Sequence, residues 1–208
     1  MTEEIKILLM NVRGLYSNKK KRLDLFKWAH EKKSDITCFQ ETHSTSEIEK
    51  DWECQWGNKI YFSHWNSRSA GVCVLIKNGL DIVINDCFSD INGRFIVMDI
   101  SVKHQRFTLV SLYGYNTDEQ ELYNDIYNKI TLYKNSCLIL CGDWNFVQDM
   151  DIDTYNIIHD RHVNCKKVVQ NIKDTYNLID PWRTQFTSIY MAAALSLKTK
   201  SDRLFFNF

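Results

Sequence analysis

Cys137-Leu138-Ile139-Leu140-Cys141-Gly142-Asp143-Trp144-Asn145 sets an unbroken apolar run directly against an acid and an amide. A short apolar run bounded in this way reads as a strand buried on both faces, in a sheet covered by other layers. Side chains alternate along a strand. Cys137, Ile139 and Cys141 therefore share one face, and continuing the period brings Asp143 and Asn145 to the same side. A carboxylate beside an amide suits phosphoester hydrolysis, because the acid can orient or deprotonate a water while the amide donates to a phosphate oxygen. An Asx-type turn after a strand would use the same residues, and Gly142-Asp143-Trp144-Asn145 alone leaves both readings open.

Other apolar runs end similarly. Ile5-Lys6-Ile7-Leu8-Leu9-Met10 stops at Asn11, Ile36-Thr37-Cys38-Phe39-Gln40 stops at Glu41, and the run from 107 closes on Tyr113 with Asn116 three residues on. Polar groups at the ends of buried strands converge at one sheet edge, where an ion or phosphate can sit. Glu41 offers a hard oxygen ligand of the kind Mg²⁺ prefers, and Asn11 can back it directly or through a coordinated water. Tyr113 and Asn116 add a phenol and an amide able to bind a phosphate.

Strand-like runs are expected at 5–11, 36–41, 60–63, 71–76, 82–88, 95–102, 107–113 and 137–143. Turns at Asn78-Gly79, Asn92-Gly93 and Tyr113-Gly114 make the middle strands hairpins. Helical periodicity predicts helices over 20–31, with Leu23, Phe26 and His30 facing inward, over 118–133, with Leu122, Ile126, Ile130 and Tyr133 inward, and over 166–176. Thr117 and Gln120 fit a capping box for the second. The expected class is α/β, two mixed sheets face to face with helices outside.

The 208 residues fit one domain, 1–208, and the single proline, Pro181, leaves no proline-rich linker. Twenty-six basic residues balance twenty-six acidic ones, which excludes a global positive field for nucleic acid. Lys19-Lys20-Lys21-Arg22 reads as a solvated helix face. Seven cysteines without a C-x-x-C pair, mostly inside apolar runs, suit a reducing compartment. The acidic Met1-Thr2-Glu3-Glu4 start is unlike a secretory signal, and no apolar stretch approaches the roughly 20 residues that cross a bilayer. The expected location is intracellular, in nucleus or cytoplasm.

Asn11-Val12-Arg13-Gly14-Leu15, Gln40-Glu41-Thr42-His43, Gly71-Val72-Cys73-Val74-Leu75-Ile76, Tyr113-Gly114-Tyr115-Asn116 and Gly142-Asp143-Trp144-Asn145 resemble, in order, the serial motifs of the endonuclease/exonuclease/phosphatase superfamily. Within it, Gln40 to His43, Asn66-Ser67-Arg68 and Leu178-Ile179-Asp180-Pro181-Trp182-Arg183 resemble the apurinic-type endonuclease domain of LINE-type retrotransposons. The resemblance implies a four-layered α/β sandwich, Mg²⁺ (or Mn²⁺) as cofactor, and a nick in target DNA that primes reverse transcription. It implies DNA as partner, a reverse transcriptase domain in the parent polyprotein, and a monomer. It makes Glu41 the metal ligand with Asn11 beside it, Tyr113 and Asn116 the grip on the scissile phosphate, Asp143 the group positioning the attacking water, and Asn145 its amide partner. Thr187 resembles a supporting threonine, and Asp153 falls where related domains carry an acid.

The C-terminus departs from the pattern. The family's late Ser-Arg-Ile/Leu-Asp strand is represented by Ser201-Asp202-Arg203-Leu204-Phe205-Phe206, with the acid displaced, and the terminal Ser-Asp-His motif is not among these residues. Loss of one such charge-stabilising donor typically costs on the order of 10² to 10³ in rate. A catalytically impaired, C-terminally truncated remnant is therefore the first alternative. A sister phosphoesterase acting on a phosphoinositide or phospholipid headgroup is the second, against which the Gln40–His43 and Asp180–Arg183 segments lean.

Asp149-Met150-Asp151-Ile152-Asp153 with Asp160 mimics a calcium loop but lacks its glycine and its glutamate. His159 and His162 read as a polar loop, His43 as a surface loop histidine, and the tryptophans and tyrosines, mostly at core spacing, as packing residues rather than stacking platforms for bases.

Overall fold

Alternation along the strands sorts the apolar side chains into three buried layers, and the layers define the architecture. The computed structural model describes residues 5–103, 105–133, 137–148 and 161–181, and the backbone of 202–206. One sheet has the order β1 (Ile7–Asn11), β2 (Ile36–Gln40), β4 (Val72–Ile76), β3 (Ile60–Ser63); β1 and β2 are parallel and the other pairs antiparallel. The second runs β5 (Ile82–Ser89), β6 (Phe95–Val102), β7 (Gln105–Tyr113), β8 (Cys137–Asp143), β9 (Asp202–Phe206), with only β7 and β8 parallel.

Between the sheets lie Ile36 and Cys38 of β2, Val72, Val74 and Ile76 of β4, Ile96, Met98 and Ile100 of β6, Leu109 of β7 and Cys141 of β8. The odd-numbered neighbours on β4, Cys73 and Leu75, turn outward with Phe39 to meet Phe26 and Ala29 of α1 (Lys19–Glu31) and Trp52 and Trp56 of α2 (Glu49–Trp56). On the far side, Phe95, Val97, Val110, Leu112, Leu138 and Leu140 pack under α3 (Gln120–Ile130) and α4 (Val163–Tyr176). Helix, sheet, sheet, helix is the four-layered α/β sandwich the sequence predicts. The sheets also meet through polar contacts: Gln40 Nε2 donates to Ser111 Oγ at 3.3 Å, and the Cys38 and Cys141 sulfurs lie 3.8 Å apart.

Helix details differ from expectation. The inward face of α1 is Arg22, Phe26 and Ala29, while Leu23 is 40% exposed. Arg22 leaves the solvated basic run because its guanidinium lies over the Trp52 ring and donates to the Leu15 carbonyl and Gln55. The capping box at Thr117 does not form; α3 starts after Glu119, which makes no side-chain cap. Asp118 is instead engaged across space, accepting from Asn164 N at 3.1 Å and Cys165 N at 2.8 Å and so capping α4. The short α2 has no predicted counterpart, because its apolar signal is only Trp52 and Trp56 within a charged stretch.

Candidate active site

Parallel pairing brings strand ends to the same edge. Asn11 is paired in register with Gln40, the residue before Glu41, and Tyr113 with Asp143. Across the gap between the sheets, Asn11 Nδ2 donates to Asp143 Oδ2 at 2.7 Å, and Tyr113 Oη donates to Glu41 Oε1 at 2.5 Å. Four residues from four strand ends thus form two hydrogen-bonded pairs at one place.

Local backbone supports these positions. Glu41, His43 and Asn145 have φ of 55°, 56° and 54°, the left-handed region that turns a strand sharply out of its sheet. Asn145 N donates to Asp143 Oδ1 at 3.0 Å, so the Asx-type turn does form and leaves the carboxylate's other oxygen for Asn11. Asn145 Nδ2 donates to the Gly114 carbonyl at 2.8 Å, tying the loops after β7 and β8 together. Gly142 has φ of 144°, and a Cβ there would overlap the Leu112 carbonyl oxygen, so the strand can reach Asp143 in this way only with glycine.

Asp143 is 2% exposed. The Tyr113 hydroxyl is pushed well above its ordinary value by burial and by the Glu41 carboxylate it donates to. Burial, with Lys21 assisting and Glu41 opposing, lowers the His43 imidazole, whose Nδ1 would lie 2.8 Å from a Cβ on Gly14.

Behind Glu41 runs a polar chain. Thr42 Oγ1 and Ser44 Oγ are 3.0 Å apart, Ser44 Oγ and His64 Nδ1 2.9 Å, and His64 Nε2 and Glu49 Oε1 2.8 Å. Thr42 and Ser44 are fully buried. The segment is also held by backbone bonds, Thr42 N to the Gly71 carbonyl at 3.0 Å and His43 N to the Ala70 carbonyl at 2.8 Å.

The structure brings together Asn11, Glu41, Tyr113, Asp143 and Asn145. Asn116 is exposed and stands outside their hydrogen bonds. Asp153 and Thr187 lie outside the described residues, as do Asp149, Asp151, Asp160 and His159. Arg94, with no motif to mark it, stacks its guanidinium over the Tyr113 and Tyr115 rings, 4.9 and 3.9 Å from their centroids, and donates to the Gly114 carbonyl. Asp202 reads as displaced in sequence, yet in the β8–β9 ladder it is the residue opposite Asp143; only strand pairing could have revealed it. Among the described residues no three His, Cys, Asp or Glu side chains gather as a metal cluster, and no helix is long and apolar enough to cross a membrane.

Fold comparison finds an AP endonuclease from Archaeoglobus fulgidus at a TM-score of 0.70 and 17% identity, covering 98% of this chain and 86% of that one. The 3' phosphatase NExo from Neisseria, bound to product DNA hairpin, matches at 0.72 and 17%, over 98% and 87% of the two chains. In sequence, the "Transposon TX1 uncharacterized 149 kDa protein" of Xenopus laevis is 23% identical over 186 residues, 82% of this chain but 14% of that protein's length. The model of the Endonuclease/Exonuclease/phosphatase family matches residues 8–203, and the chain belongs to that family.

Proposed function

We propose that residues 1–208 form a divalent-metal-dependent phosphodiesterase domain that nicks one strand of DNA and derives from a retrotransposon. The observation that carries it is the convergence of Asn11, Glu41, Tyr113 and Asp143 across two sheets through two short hydrogen bonds. Similarity to a transposon protein and to DNA-acting enzymes of the same fold supports the choice of DNA. The parent polyprotein would carry a reverse transcriptase, and the domain would act as a monomer in nucleus or cytoplasm.

The residues fit Mg²⁺. The Glu41 carboxylate and the Asn11 amide oxygen, whose NH2 is turned to Asp143, would hold it through the hard oxygen atoms this ion prefers. When bound, Mg²⁺ or Mn²⁺ supplies Lewis-acid stabilisation of charge on the phosphoryl oxygens. Asp143 holds and deprotonates the attacking water. Its orientation is fixed by Asn11 and the Asn145 amide, so little reorganisation accompanies proton transfer. Asn116 and the second N–H of the Asn145 amide donate to the phosphate, the Tyr113 hydroxyl, whose one proton goes to Glu41 in this structure, turns to the phosphate when DNA is bound, and the Arg94 guanidinium adds positive charge behind Tyr113.

Incubating supercoiled plasmid with the protein and Mg²⁺ tests this. Open circles should form, and be lost in Asp143→Ala and in Glu41→Ala. Nicking that survives both substitutions overturns the assignment, and none by the unsubstituted chain with either metal would favour the impaired remnant.

A further inference from the structure

Trp65 breaks the packing rule that the other core tryptophans obey: Trp52, Trp56 and Trp144 are at most 4% exposed, whereas Trp65 is 52% exposed. The turn that follows it is nevertheless closely hydrogen-bonded. There Asn66 Oδ1 accepts from Arg68 N and Ser69 N, both at 2.9 Å, and from Ser69 Oγ at 3.1 Å. The Trp65 Cβ packs on Gly93, where an added Cβ would come within 2.8 Å of it. Gly71 N donates to the Gly93 carbonyl at 3.0 Å, which ties this turn to the Ala70–Gly71 segment that anchors Thr42 and His43. The residue after Gly93 is Arg94, stacked on Tyr113. A large aromatic side chain is thus exposed on a scaffold that continues through Ala70–Gly71 to the backbone after Glu41 and through Gly93–Arg94 to the Tyr113 ring.

We infer that Trp65 is a stacking platform for an unpaired nucleobase beside the cleaved phosphate, with Arg68 taking a flanking backbone phosphate. The inference rests on the DNA reading above. Its partner follows from position and chemistry. Whatever phosphodiester reaches Asp143 carries bases on either side, and their apolar faces are complementary to an indole. Arg68 is exposed on the same turn and, among the described residues, has no carboxylate partner. The turn is ordered before binding, so stacking costs little conformational entropy. Bases inside an intact duplex stack on each other and offer only their edges. A platform of this kind therefore selects DNA whose helix is interrupted next to the nick site.

The test uses the full chain carrying Asp143→Ala, so that DNA is bound without turnover. Two labelled duplexes are compared in Mg²⁺, one fully paired and one with a single unpaired 2-aminopurine. Tighter binding of the interrupted duplex with quenched 2-aminopurine fluorescence is expected. Adding Trp65→Ala should weaken that binding roughly 10- to 100-fold and abolish the quenching, with less than about threefold effect on the paired duplex. Trp65→Phe should retain most of the preference. Arg68→Ala should weaken both duplexes and lower the slope of log affinity against log salt by about 1. Equal affinities with and without Trp65, or an equal loss on both duplexes, overturn the platform while leaving the nuclease reading intact. Failure of the starting protein to bind either duplex overturns the DNA reading itself.

Discussion

Asn11 donates to Asp143 Oδ2 at 2.7 Å, joining the end of β1 in one sheet to the end of β8 in the other, 132 positions away in sequence. A buried carboxylate needs hydrogen-bond donors, and among the described residues Asp143, 2% exposed, has the Asn11 side chain and the Asn145 backbone N–H. Asp143→Ala and Asn11→Ala should each slow nicking by at least about 10²-fold. Because they act on one unit, the double variant should be hardly slower than Asp143→Ala alone. Single-turnover nicking rates for the three variants check this. Rates that multiply would show that the two side chains act independently.

Tyr113→Phe removes the hydroxyl that restrains Glu41 at 2.5 Å while keeping the ring beneath Arg94. Metal affinity measured by Mn²⁺ titration should fall several-fold and nicking by roughly 10- to 10²-fold. The alkaline limb gives an independent reading. The folded hydroxyl titrates above its ordinary 10.0, chiefly through burial and then through Glu41. Its stabilising contribution is therefore complete below pH 10 and lost as pH rises towards the folded value. Denaturant unfolding between pH 9 and 11 should fall less steeply for Tyr113→Phe than for the unsubstituted protein.

The four strand ends are legible in sequence because a buried strand has no packing use for Asn11, Glu41, Tyr113 or Asp143. The unbroken apolar run of β4 likewise marks a strand covered on both faces, as two packed sheets with helices outside require. What linear sequence hides depends on pairing or on space. Arg94 lies in a polar turn and acquires meaning only when Tyr113 and Tyr115 come to its guanidinium. Arg22 reads as one of four basic residues until Trp52 and Leu15 close over it. Asp118 is taken from its own helix by α4, a choice that local capping rules cannot see.

Gly142→Ala should be among the most damaging single substitutions in the chain. At φ of 144° an L-side chain is strained, and the new methyl would drive into the Leu112 carbonyl of the paired strand β7. A loss of more than about 3 kcal/mol is expected in urea unfolding, from strain and overlap together. A variant within about 1 kcal/mol of the parent would mean that β7 and β8 do not pair this closely around Gly142.

Asp118 should govern part of the acid limb of stability. Burial opposes ionisation, but the bonds from Cys165 and Asn164 prevail and hold the carboxyl at about 2, below its ordinary 3.8. The group is thus stabilising above pH 3.8, and that contribution disappears as pH falls through about 2. Asp118→Ala should lower Tm at pH 7, and the gap from the parent should close between pH 4 and 2. A constant gap across that range would assign the loss to packing instead of to the helix cap.

His64 is held at both ring nitrogens, by a carboxylate at one and a hydroxyl at the other. The Glu49 carboxylate accepts, so Nε2 donates to it, while Nδ1 pairs with the Ser44 hydroxyl. Ser44 is fully buried, which removes it from consideration as a nucleophile despite the Ser-His-Glu chain. What the chain can do is hold Thr42 and Ser44, and with them the left-handed turn at Glu41. His64→Phe keeps the ring stacked on Phe62 but removes the bond between Ser44 and the imidazole, leaving the buried Thr42–Ser44 pair one bond short at a cost of about 1–3 kcal/mol. Nicking should fall through weaker metal affinity, so that raising Mn²⁺ restores most of the rate, whereas Asp143→Ala is not rescued at any concentration. His64→Asn, whose side-chain oxygen can accept from Ser44, should recover part of the affinity. If His64→Phe loses stability yet binds Mn²⁺ as the parent does, the chain supports the fold alone and the Glu41 turn is set by its backbone bonds to Ala70 and Gly71.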